Sequence, residues 1–369
     1  MYSFLIAPDS FKGTLSAAQV CDIIAEAIEE VYPGSKIIKL PVADGGEGLS
    51  EAMFQALGGT WQEAVVSGVF GQAMTAGYAI LENGNAVIDM SACAGLPLAG
   101  DKKNPAKATT QGVGELLSDA AGKGVKNIIL GLGGSATNDC GIGMAHALGY
   151  RFYDKEGSEL EPVGACMTRI EKIQRPSSLP AIKVTAACDV DNPLYGPQGA
   201  AYVFAPQKGA DETMVKDLDQ GLRNMAELIK RDLGLDVADI PGAGAAGGMG
   251  AGVMAFLQGH LRSGIDLMLD AVDFDEKLDQ VDFVITGEGR MDAQSLRGKV
   301  PSGVARRALT KGKKTIAING SLGPGAQEML KIGLSSIYAA VTQEKSFEEI
   351  KKTCREDLFN VALKALKEL

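Results

Sequence analysis

The sequence predicts an α/β chain of two domains, a parallel-sheet domain into which a second, mixed-sheet α/β domain is inserted. Three observations carry this expectation. Short apolar strands alternate with amphipathic helices at the start of the chain, the alternation gives way to closely spaced strands near Thr60, and it returns at Val281. The expected boundaries place residues 1–64 and 278–369 in the outer domain and 65–277 in the insert.

Ser3 to Ala7 has the length of a buried strand and stops at Pro8-Asp9-Ser10-Phe11-Lys12-Gly13. Ser16 is a candidate N-cap for a helix whose apolar face is Val20, Ile23, Ile24, Ala27 and Val31. Lys36 to Val42 is a second strand, and Ala43-Asp44-Gly45-Gly46-Glu47-Gly48 leads from it into a helix ending at Leu57. Ala64–Val69, Thr75–Leu81 and Ala86–Met90 then follow as strands joined by Gly71-Gln72 and Asn83-Gly84, the latter a hairpin signal. Strands are also expected at Asn127–Leu130, Ile182–Ala187 and Ala201–Ala205, with a helix at Met214–Asp232. The final alternation runs through strands at Val281–Thr286, Thr315–Asn319 and Ile337–Val341 and closes on a charged amphipathic helix. Five parallel strands in flavodoxin-like order would gather Asp9, Ser10, Lys12, Asp44, Glu47, Glu288, Arg290, Asp292 and Ser321 on one carboxyl rim, where ligands of such sheets bind.

Composition narrows the function. With 369 residues, 46% hydrophobic and 22% charged, the chain suits a two-domain globular protein. A net charge of −10 argues against general nucleic-acid binding. Six scattered cysteines without a C-x-x-C pair fit reduced thiols, and neither a signal peptide nor a membrane span is expected, so the expected location is the cytoplasm. Assembly is left open between a monomer and a homodimer.

The stretch Ile128–Gly143 reads as a strand emptying through glycines into a helix, with Gly133, Gly134, Ser135, Thr137 and Asn138 offering N–H, hydroxyl and amide groups to an anion. Gly131–Ala136 matches G-x-G-x-x-A and Gly242–Gly247 matches G-x-G-x-x-G, so a nicotinamide oxidoreductase acting on a small hydroxy acid stands as an alternative. No P-loop motif occurs. Asp189 and Asp191, past a strand end, could share Mg²⁺ or divide metal binding from proton transfer, and Lys208 follows a strand where it could reach an anion. His146 and His260 read as structural, which leaves proton transfer to carboxylates and lysines.

Seven motifs together resemble the type I glycerate kinases of bacteria: Asp9–Gly13, Ala43–Gly48, Gly133–Asp139, Cys188–Pro193, Pro206–Gly209, Gly242–Gly248, and Ile285–Gly289 through Asp292. The likeness covers essentially the whole chain in order. Cys140 and Ala205 depart from it, each standing where the family has glycine, and neither is a charged position. The resemblance implies phosphoryl transfer from ATP to the 2-hydroxyl of D-glycerate, in two α/β domains with the active site between them. A glycerate 3-kinase, or a sensor that binds glycerate without consuming ATP, are the other readings. Chemistry then makes Lys12, Lys208 and Arg290 candidates for the anions, and Asp189, Asp191, Glu288 and Asp292 candidates for Mg²⁺ and for the base. Asp9, Ser10, Asp44, Gly45, Gly46 and Glu47 join the glycine-loop residues as candidates for binding substrate or phosphate.

Overall fold

The structure, a computed structural model, describes residues 2–43, 48–296, 298–341 and 345–369. The fold is mixed α/β, and the chain divides into two compact units, Met1–Asp44 with Ile265–Leu369, and Gly45–Gly264. Among the described residues no helix is long and apolar enough to cross a membrane.

The first unit is built on a five-stranded parallel sheet in the order Leu334–Ala339, Lys314–Asn319, Phe283–Thr286, Ser3–Ile6, Lys36–Lys39. Counted within the unit, that is the flavodoxin-like order 2-1-3-4-5. Parallel strands buried on both faces read as unbroken apolar runs, as Phe-Leu-Ile and Phe-Val-Ile do here. Ser16 caps helix Ala17–Val31 with a reciprocal bond to Gln19, and Val20, Ile23, Ile24, Ala27 and Ile28 are buried against the sheet. Leu358, Ala362, Ala365 and Leu366 of the terminal helix Phe347–Lys367 close the same core.

The second unit holds a six-stranded mixed sheet in the order Gly59–Ser67, Ala73–Leu81, Ala86–Asp89, Asn127–Gly131, Lys183–Ala187, His260–Arg262. The first two pairings are antiparallel and the rest parallel. Tyr78, Ile88, Leu130, Phe152 and Phe256 belong to its core.

The dividing points lie upstream of the expected ones on both sides of the insert. Helix Leu49–Leu57 lies within the second unit, because Asp89 accepts from the Ser50 N–H (3.0 Å) and hydroxyl (2.6 Å), and Phe54 packs edge-on against Trp61 at 5.8 Å. Strand Gly59–Ser67, which a boundary at 64 would cut, pairs along its whole length with Ala73–Leu81. At the far side, Ile265 packs on Gly303 and Arg307 pairs with Asp270 and Asp275, so the short helices before Leu278 sit in the first unit. The expected strand Ala201–Ala205 is helical at Ala200–Phe204 and continues as a 3-10 turn over Pro206–Lys208. Its aromatic and branched composition suits either state, and packing into the core decides for the helix.

Asp139 is the principal polar anchor of the second unit. Its carboxylate is fully buried and accepts from the Thr110 N–H and hydroxyl (both 2.8 Å), the Gly141 N–H (3.1 Å) and the Gly143 N–H (3.4 Å). Burial pushes its pKa up and these donors pull it down. Asp139→Ala strands those donors, and urea denaturation is expected to show a loss of at least about 3 kcal/mol.

Candidate active site

In the first unit the loops leaving the sheet meet at its carboxyl edge. Strand order reverses between Ser3–Ile6 and Phe283–Thr286, so their following loops diverge and open a crevice there. Backbone bonds knit the rim: Asp9 N–H to Gly287 C=O (2.9 Å), Gly320 N–H to Glu288 C=O (3.0 Å) and Ser321 N–H to Gly289 C=O (3.0 Å). Gly287 permits that closeness, since a Cβ there would lie 1.8 Å from the Ile318 carbonyl oxygen. The result is a cavity of about 420 Å³ lined on its polar side by Asp9, Ser10, Lys12, Glu288, Arg290 and Lys299.

With Asp9, Glu288 is one of two buried members of this group, and it is only 5% exposed. Its Oε2 accepts from Lys299 Nζ at 3.3 Å, its Oε1 has no hydrogen-bond partner among the described residues, and its N–H donates to Asn319 Oδ1. Burial raises its pKa, and the nearby Ser295 hydroxyl and then the Lys299 ammonium oppose that rise. Lys12 and Arg290 are exposed on the same cavity. Asp292 falls outside the lining, with Oδ1 accepting from the Gln294 N–H and Oδ2 lying 3.9 Å from Arg290 Nε. Asp44, Gly45, Gly46 and Glu47 lie outside the described residues.

Sequence reasoning missed Lys299. One signal was present: it occupies the N-cap position of helix Val300–Thr310, where the helix dipole disfavours a cation and an oxygen-bearing side chain is the usual choice.

The second unit presents a smaller cavity, about 370 Å³, lined by Gly133, Gly134, Ser135, Asp189, Gln207 and Lys208 among others. Lys208 does not hang from a strand end. It is 2% exposed, and its ammonium donates to Ser135 Oγ and to the Thr137 carbonyl, each at 2.7 Å. Burial pulls its pKa down to about 7, against the favourable field of Asp139. Asp189 is exposed, and its Oδ1 accepts from Ser263 Oγ (3.0 Å) and the Gly264 N–H (2.9 Å). Asp191 is exposed and absent from the lining. Thr137 and Asn138 are fully buried behind the loop rather than in the cavity, with Thr137 Oγ1 and both Asn138 amide atoms unpaired among the described residues.

The helix after the glycine loop, Ile142–Ala147, is not open to an added anion at its start. Asp139 already takes the Gly141 and Gly143 N–H groups. A dinucleotide pyrophosphate would need those donors, which removes the support for the nicotinamide alternative at this motif. The second glycine run serves packing. Gly247 has φ +73° and would bring a Cβ to 2.1 Å from the Thr137 carbonyl oxygen.

Among the described residues no three His, Cys, Asp or Glu side chains cluster as a metal site. Mg²⁺ needs fewer, because it keeps water and phosphate oxygens and takes one or two carboxylates. The unpaired buried Oε1 of Glu288 fits such a ligand, and Asp292 stands four residues on. His146 Nε2 lies 3.3 Å from Glu159 Oε1, and neither His146 nor His260 lines these two cavities.

A family model described as the glycerate kinase family matches residues 4–369. The glycerate 2-kinase of Escherichia coli (strain K12) is 43% identical over 350 residues, covering 94% of this chain and 92% of that one. The glycerate kinase of Bacillus subtilis (strain 168) is also 43% identical, over 353 residues, with 93% and 92% covered. A crystal structure from Salmonella typhimurium LT2, provisionally named glycerate kinase 2, superposes with a TM-score of 0.87 at 41% identity, over the full length of both chains. Matches of this length, with a fold that superposes over the whole chain, have one meaning: the chain belongs to the glycerate kinase family and is an enzyme of that family.

Proposed function

We propose that this enzyme transfers the γ-phosphoryl group of ATP to the 2-hydroxyl of D-glycerate, forming 2-phospho-D-glycerate, with Mg²⁺ as the metal. The observation that carries the reading is the buried Lys208 ammonium pinned to Ser135 beside a small polar cavity. An ammonium has three N–H donors and two are spent within the loop, so one remains for a carboxylate such as that of glycerate. Charge-assisted bonding in a desolvated site is strong enough to orient a three-carbon acid.

Around that anchor, Ser135 holds the ammonium in place and Asp189 takes the hydroxyl proton as the phosphoryl group arrives. A loose transition state asks little of that base until the new bond has formed. Lys12 and Arg290 hold phosphate oxygens, and Glu288 with Asp292 would hold Mg²⁺. When bound, that ion neutralises charge on the transferring phosphates. The six cysteines are all unpaired, four of them buried, which suits a reducing cytoplasm.

Incubation with MgATP and D-glycerate, read by phosphorus NMR, is expected to give 2-phosphoglycerate and ADP. Formation of 3-phosphoglycerate would overturn the choice of hydroxyl, and absence of ADP release in folded protein would overturn the donor. Asp189→Asn is expected to lower kcat by about 10²-fold or more, whereas His146→Gln stays within a few-fold. Lys208 must be charged to hold a carboxylate, so kcat/KM for glycerate is expected to fall as pH rises through about 7. Bound glycerate raises that pKa, which moves the corresponding fall in kcat to higher pH. A kcat/KM profile flat across this range would contradict the role.

A further inference from the structure

Family membership and the reading above leave open where the nucleotide binds. The two cavities are close in size, so volume does not decide, and their walls do. Besides its charged residues, the cavity of the first unit is lined by Val341, Phe347, Ile350 and Cys354. Phe347 is 51% exposed, an aromatic ring facing solvent at the edge of an apolar wall. Its position is set in advance. The Ser346–Glu349 capping box fixes the start of its helix, the ring's Cζ edge rests on Gly13, and Lys351 Nζ lies 4.8 Å from the ring centroid. A pre-placed aromatic ring loses little entropy when a base stacks on it.

The charged side has the mixed character that a magnesium nucleotide requires. Here Lys12 and Arg290 stand with Glu288, whose Oε1 is buried and unpaired. Lys299 offsets Glu288 at 3.3 Å, Ser10 bonds to Asp9, and Asp357 is held by Lys345 and Thr353, both at 2.7 Å. The cavity also lies at the switch point of a doubly wound sheet, outside the carboxyl ends of its strands.

We infer that this cavity is the nucleotide site, with the adenine base against Phe347 and Ile350 and the phosphates toward Lys12 and Arg290. The inference rests on the proposed use of ATP and assigns the donor to residues of the first unit alone.

Titration calorimetry with ADP and Mg²⁺ tests it without turnover. Phe347→Ala is expected to weaken ADP binding about tenfold, the worth of one base–aromatic stack, and Phe347→Trp to preserve it. Cys354→Trp, which fills the apolar wall, is expected to abolish ADP binding, while KM for D-glycerate moves less than about threefold in Phe347→Ala. ADP bound with wild-type affinity by both Phe347→Ala and Cys354→Trp would overturn the site while leaving the proposed reaction intact. A rise in glycerate KM with ADP affinity unchanged would also overturn it, by making this cavity the acceptor's. Failure of the wild-type enzyme to consume ATP with glycerate would instead strike the proposed reaction, and ADP binding would still report on the site.

Discussion

Two charges buried beside the glycine loop govern the second unit. The Asp139 carboxylate and the Lys208 ammonium are both out of water, and a buried charge without partners costs several kcal/mol. Much of the surrounding structure consists of their partners. Thr110, Gly141 and Gly143 serve the carboxylate, and Ser135 with the Thr137 carbonyl serves the ammonium. The glycine run at 242–248 comes close enough to seal the loop from behind, since no side chain fits between Gly247 and Thr137. A loop so committed presents Ser135 and Lys208 in one arrangement, which is what recognition of a small anion needs.

The first unit solves a different problem with fewer buried charges. Its rim is held by main-chain bonds between successive strand-end loops. Asp9 and Glu288 are buried there, and Glu288 is held at its backbone by Asn319 and at its carboxylate by Lys299. Burial raises its pKa, and that pairing opposes the rise.

Much of this was legible beforehand. The parallel order, the Ser16 cap and the convergence of Asp9, Lys12, Glu288 and Arg290 follow from apolar runs that stop at glycine and charge. The segment Ala201–Ala205 was not legible, because AYVFA satisfies strand and helix alike. Neither was the fate of Thr137 and Asn138. Their polarity suggested ligand contact, yet they are turned into the interior.

The sequence by itself determined the fold class, the family and the charged strand ends of the parallel sheet, because these depend on local periodicity and on motif order. Tertiary structure alone decided three matters. It placed the unit boundaries, which depend on long-range partners such as Asp89 with Ser50. It filled the helix start after the glycine loop with Asp139, a choice set by where Thr110 lies. And it buried Lys208 against Ser135, bringing together residues far apart in the chain. Burial and long-range pairing are collective properties of the packed chain, and no window of residues contains them.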